Sequence, residues 1–92
     1  MMTSDKPIAV VKYVDMPVDM QQDAVDLFYE GTENFKEECE IAKYLKKEYE
    51  CKYGSNWHCV VGKSFGSYIS HEENGFIFFH LNGYYVMLFK AG

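Results

Sequence analysis

Phe76-Ile77-Phe78-Phe79-His80-Leu81-Asn82-Gly83-Tyr84-Tyr85-Val86-Met87-Leu88-Phe89-Lys90 is the stretch that decides the fold. Two apolar, strand-like runs flank Asn82-Gly83, the strongest short signal for a two-residue type I′ hairpin turn. Two turn residues fix the register: Leu81 faces Tyr84, His80 faces Tyr85, Phe78 faces Met87 and Phe76 faces Phe89. Alternation then puts Phe76, Phe78, His80, Tyr85, Met87 and Phe89 on one face. Ile77, Phe79, Leu81, Tyr84, Val86 and Leu88 take the other. Both faces are apolar, so this sheet needs two covers.

Working upstream, Trp57–Val61 and Phe65–Ser70 also read as strands. Residues 8–14, Ile-Ala-Val-Val-Lys-Tyr-Val, read as a first strand. Between them lie two amphipathic helices. The first starts at Asp15-Met16-Pro17, carries Met20, Ala24, Leu27 and Phe28 as its stripe, and is expected to end near Gly31. The second begins around Glu37-Glu38, buries Ile41, Ala42, Leu45 and Tyr49, and stops at Gly54. Its early acids (Glu37, Glu38, Glu40) and later Lys43, Lys46 and Lys47 suit the helix dipole. The fold class is therefore α+β: a strand, two helices, then a four-strand antiparallel sheet. Two helices cover one face only. The second cover must be another chain.

Ninety-two residues make one domain, spanning 1–92, with residues 1–7 expected to be flexible. A chain this short buries only roughly 60–65% of its unfolded surface, a thin margin that oligomerisation commonly remedies. Eight Tyr and seven Phe exceed what so small a core can hide, which points to a groove or interface. A net charge of −5 without a basic run excludes binding to nucleic acid by phosphate neutralisation. The opening apolar run, Ile8 to Val11, is too short for a signal peptide or a membrane span, so a soluble intracellular protein is expected, without membrane insertion. Cys39, Cys51 and Cys59 lack C-x-x-C spacing and read as reduced thiols.

Several patterns look chemical and are not. Gly62-Lys63-Ser64-Phe65-Gly66 matches the G-x-S-x-G elbow of hydrolases, but that elbow needs a following helix and a large parallel sheet. A phosphate-binding loop ending in Gly62-Lys63-Ser64 would need Gly where Trp57 stands. His58 and Cys59 are adjacent in a strand and point to opposite faces. His58, His71 and His80 share no ligand spacing, so no metal or other cofactor is expected. The sequence reads as that of a non-enzyme.

A resemblance rests on Asp15-Met16-Pro17 with Met20-Gln21-Gln22-Asp23-Ala24-Val25, and above all on Trp57-His58-Cys59-Val60-Val61-Gly62-Lys63-Ser64-Phe65-Gly66-Ser67-Tyr68-Ile69-Ser70-His71-Glu72. With the ending Leu88-Phe89-Lys90-Ala91-Gly92, the chain resembles the light-chain-eight type of dynein light chain from about Ala9 to Gly92. The resemblance implies a strand-exchanged homodimer in which Phe65–Ser70 joins the partner's sheet. It also implies binding of linear segments, often containing Thr-Gln-Thr, by β-augmentation in two symmetric grooves. Carried over by position, Phe65, Gly66, Ser67, Tyr68, Ile69, Ser70 and His71 form the receiving edge, and Ser64 is a further peptide-binding position. Glu38 would cap the target's Gln. Phe76, Phe78, His80, Tyr85 and Met87 line the floor, and Lys12 sits at one end. His58, Ser67, Tyr68 and Ser70 fall at the dimer interface, His58 close to its symmetry mate.

The sequence departs from the family pattern at Cys39 (usually Lys), Ser64 (Asn) and Ser70 (Thr). Phe78 and His80 replace two Tyr, and Tyr85 replaces a small Ala, which is expected to narrow the groove. The leading expectation is a light chain of the dynein motor. It would bind the dynein intermediate chain and the linear motifs of other proteins, in the cytoplasm on microtubules of the cytoskeleton. The alternative keeps the fold as a dynein-independent adaptor with altered peptide specificity. A hydrolase using Ser64 is the third reading.

Overall fold

The structure is a computed structural model and describes residues 8–92. The expectation for residues 1–7 lies outside the described residues. In chain order the elements are β1 (Val10–Asp15), α1 (Val18–Asn34), α2 (Glu38–Tyr53), β2 (Trp57–Gly62), β3 (Phe76–Leu81) and β4 (Tyr84–Lys90). The strands form one antiparallel four-stranded sheet in the order β1-β3-β4-β2.

The β3–β4 hairpin has the expected register from Leu81 opposite Tyr84 to Phe76 opposite Phe89. Asn82 and Gly83 supply the positive φ angles (53° and 86°) that a type I′ turn requires. Ile77, Phe79, Leu81, Val86 and Leu88 are buried against both helices, where Ala24, Phe28, Ile41, Leu45 and Tyr49 complete the core. Phe28 meets Phe79 edge-on at 5.8 Å, and Tyr49 meets Trp57 edge-on at 4.6 Å. The Tyr49 hydroxyl donates to the Met20 carbonyl at 2.9 Å, which ties α2 to α1, and burial pushes its pKa well up.

α2 behaves as its sequence suggests. It starts after an extended Glu37, carries Glu38 and Glu40 in its first turn, and ends at Gly54 with φ +82°. α1 does not stop at Gly31. It continues to Asn34, held by side-chain bonds from Thr32 to the Tyr29 carbonyl (2.7 Å) and from Asn34 to the Glu30 carbonyl (2.8 Å). Gly31 is instead a close-packing residue: a Cβ there would lie 3.2 Å from Ile41 Cγ2 and 3.3 Å from Tyr44 Cδ2. The glycine marks a helix crossing.

The second correction concerns Phe65–Ser70, expected as a strand. Within the chain, residues 65–70 carry no strand structure. Their alternation favours extended backbone, but a strand also needs a ladder partner for its N–H and C=O groups. The segment from Lys63 to Gly75 instead crosses the sheet face opposite the helices, with Phe65 edge-on to Phe78 at 5.9 Å and Tyr68 fully exposed. Its return is pinned by Glu72 N–H to the Lys90 carbonyl (2.8 Å) and Lys90 N–H to the Gly75 carbonyl (2.9 Å).

Candidate functional site

Two concave surfaces hold most of the residues singled out in the sequence. The first, of about 590 Å³, lies on the face away from the helices and is lined by Tyr13, Phe65, Ser67, Tyr68, Ile69, His71, Phe76, Phe78 and Met87. Its floor is aromatic: Tyr13 stacks near Phe78 at 6.5 Å and His71 stacks on Phe76 at 4.7 Å. Beside it, Tyr85 packs on His80 at 4.5 Å and on Phe78 at 5.8 Å. Ser64, Gly66 and Ser70 are exposed on the crossing segment and do not line the cleft.

The second surface, of about 540 Å³, lies between α2 and β2 and is lined by Glu38, Cys39, Ala42, Lys43, Lys46, Cys59, Val60 and Val61. Of these, the sequence reading assigned a site role to Glu38 alone. The missed signal was periodicity: positions 38, 42, 46 and 39, 43 form adjacent i, i+4 rows on one helix face. That face meets β2, the terminal strand of the sheet.

The free side of β2 can be assigned residue by residue. Trp57 N–H donates to Glu50 Oε2 at 3.1 Å, and the Trp57 carbonyl accepts from Lys46 Nζ at 2.6 Å, so both Trp57 backbone groups point away from β4. Backbone groups alternate direction along a strand, so those of Cys59 and Val61 point to the same open side. The Lys46 hydrogen bond, and then that of Trp57, hold the Glu50 carboxyl below its usual range. Burial pushes the Cys59 thiol up to about 12, so it stays protonated at neutral pH.

Glu38 and the aromatic cleft are not brought together in one chain. Lys12 is on β1, at the opposite end of the sheet from β2. His58 is exposed on the aromatic face, its ring 5.4 Å from that of Phe89 and Nε2 3.3 Å from the Ala91 carbonyl. His58 and Cys59 do fall on opposite faces of β2. No helix follows Ser64, so the hydrolase elbow lacks its required setting. Among the described residues, no three His, Cys, Asp or Glu form a group able to hold a metal ion, and no helix is long and apolar enough to cross a membrane.

The family model described as dynein light chain type 1 matches residues 8–91. The chain belongs to that family. Two solved structures of the dynein light chain-like domain of the Fasciola hepatica calcium binding protein FhCaBP2 share the fold. The native form is 21% identical at a TM-score of 0.73, covering 100% of this chain and 99% of that one. A mercury derivative is 22% identical at a TM-score of 0.78, covering 98% and 96%. At such identity the likeness concerns the dynein light chain fold alone. Family membership brings with it a dynein light chain-like role, and the β2 edge and the crossing segment are where this member leaves backbone without a strand partner.

Proposed function

We propose that the chain is a non-catalytic light chain of the light-chain-eight type, which dimerises by strand exchange and grips linear peptide segments. One observation carries this reading. The chain has an open strand edge at β2 and a segment of strand-like sequence, Phe65–Ser70, without a partner strand. Lys63-Ser64 alone joins them. A two-residue return onto its own β2 requires positive φ at one or both turn residues, and neither Lys63 nor Ser64 has it. A second copy has no such constraint. Its Phe65–Ser70 can lie against Cys59 and Val61, and the exchange is reciprocal, as a two-fold dimer demands.

The exchange also explains why the expected site is split. In a dimer, one protomer's α2–β2 groove lies beside the other's segment and aromatic cleft, so Glu38 meets Phe65–His71, Phe76, Phe78 and Met87 across the interface. The exchanged strand keeps one edge free, and a target segment adds there as a further strand. Two such grooves per dimer make it bivalent, a clamp that raises the effective concentration of a paired partner. The fitting partners are Thr-Gln-Thr-like motifs, including one in the dynein intermediate chain, for microtubule-based transport in the cytoplasm. Neither reading calls for a cofactor.

The second reading, an adaptor outside the motor, is favoured by Tyr85. Its ring stacks on Phe78 and packs on His80, filling floor that a small residue leaves open. A peptide array with purified protein separates the two readings. Motor-type Thr-Gln-Thr segments among the strongest binders support the first; their absence beside other strong binders supports the adaptor.

A further inference from the structure

We propose that Lys43 gives the α2–β2 groove a charge preference. It selects an extended segment bearing a carboxylate about two residues from the side chain that meets Glu38. This rests on the peptide-binding reading of that groove and names a specificity determinant within it.

The contacts of Lys46 and Glu50 with Trp57 place the C-terminal half of α2 beside the start of β2. From Lys46 back to Glu38 the helix rises about 12 Å, and from Trp57 to Val61 the strand advances about 13 Å. The two elements therefore run antiparallel in step, with Glu38 near Val61 and Lys43 between. Three charged side chains of α2 line the groove: Glu38, Lys43 and Lys46. Lys46 is already engaged, with Nζ 2.9 Å from Glu50 Oε2 and 2.6 Å from the Trp57 carbonyl. Lys43 is exposed and, among the described residues, has no ion-pair or hydrogen-bond partner. Cys39, on the same helix row, brings no charge.

An exposed helix lysine is ordinarily just solvated, and Lys47 fits that description. Lys43 differs by lining the groove over the β2 edge, where in the dimer the partner's exchanged strand lies and the target strand adds beside it. Glu38 and Lys43 are about 7.5 Å apart along the helix axis, close to the roughly 6.6 Å between same-face residues of a strand. An occupant whose polar donor meets Glu38 thus brings the residue two positions away to Lys43. A carboxylate there gains an ion pair that a neutral or basic residue does not.

The test uses the full chain as a folded dimer and three fluorescent peptide sets built on Thr-Gln-Thr. They carry Asp, Ala or Lys two positions from the Gln, placed before or after it in separate peptides. One placement is expected to favour Asp over Ala by about 3- to 5-fold, with Lys weakest, and added salt shrinks the difference. Lys43→Ala is expected to erase the discrimination, Lys43→Glu to invert it, and Lys47→Ala to leave it unchanged. Discrimination that survives Lys43→Ala, or peptides that all bind the wild type alike, overturns the proposal. If no peptide binds the folded dimer, the peptide-binding reading itself falls, and the proposal with it.

Discussion

The sheet ends in two strands that meet solvent in different ways. β1 is broken by a bulge between Val11 and Tyr13, with Lys12 at the break, and Asp15 accepts a hydrogen bond from Asn74 N–H at 3.2 Å. A bulge and a lysine are standard ways to blunt an edge against unwanted pairing. β2 has neither. Its six residues pair with β4 in unbroken register, and Val60 is 38% exposed. Only Trp57 is capped from the side, by Lys46 and Glu50. One edge is blunted against strands and the other is left open to one. Because both edges belong to the same sheet, the difference lies in local sequence and not in overall fold.

The largest expected effect comes from removing the strand that fits β2. In the exchanged dimer one edge of Phe65–Ser70 pairs with β2 and the other stays free for a target. Of two adjacent residues, Tyr68 and Ile69, one therefore turns its N–H to β2, and prolines at both remove that bond. The double variant Tyr68→Pro/Ile69→Pro should cost about 2 kcal/mol per exchanged strand, twice per dimer, while sparing the monomer core. Sedimentation should then give a species near 10.7 kDa instead of twice that mass, with unchanged far-UV circular dichroism. A proline at Lys12, in the blunted edge, should leave the dimer intact.

Next in size is a fixed charge at His58, which is exposed on β2 beside Phe89 on the apolar face. In the proposed dimer the two copies of this residue lie near each other, so a lysine on each chain puts like charges in a partly desolvated seam, a cost of several kcal/mol. His58→Lys should therefore sediment as a monomer at neutral pH, whereas His58→Gln should remain dimeric. A normally dimeric His58→Lys removes His58 from the interface.

Tyr85→Ala should have a smaller effect and an informative sign. Clearing the ring from Phe78 and His80 should strengthen Thr-Gln-Thr peptide binding by about 1 kcal/mol, roughly 5-fold by titration calorimetry. Weaker binding would make Tyr85 a contact. The smallest effect belongs to the pair holding α1 to α2. Asp23 accepts from the Tyr53 hydroxyl and pairs with Lys52 at 3.2 Å, and these two bonds hold its carboxyl below the usual value. A depressed carboxyl stabilises the fold above its unfolded pKa and loses that contribution as pH falls through the folded one. The same bond raises Tyr53 to about 12, so its share persists below the ordinary tyrosine range and is lost as pH rises toward 12. The site is partly exposed, so Asp23→Asn should cost under about 1 kcal/mol in urea denaturation at neutral pH, with the gap closing in acid.

Much of this was legible in the residues. The hairpin register followed from Asn82-Gly83 and strict alternation, because a two-residue turn leaves no freedom. Counting apolar faces calls for a second cover, expected from another chain; within one chain the segment from Lys63 to Gly75 already lies over part of that face, with Phe65 edge-on to Phe78. Gly31 misled, since a glycine that ends a helix and one that admits a neighbouring helix look alike until the neighbour is placed. Phe65–Ser70 misled in another way: its pattern specifies an extended backbone, but pairing is a property of two strands, and one chain supplies only one. The α2–β2 groove went unseen because Lys43, Cys59 and Val61 belong to separate elements whose antiparallel alignment depends on the Lys46–Glu50–Trp57 contacts.

The central claim is that β2 of one chain is completed by Phe65–Ser70 of another. Isotope-filtered nuclear Overhauser spectroscopy on a dimer mixed from labelled and unlabelled chains tests it directly. Cross-chain contacts between residues 65–70 and Cys59–Val61 are the expected result; contacts confined within one chain, or a folded monomer at the same concentration, would contradict it.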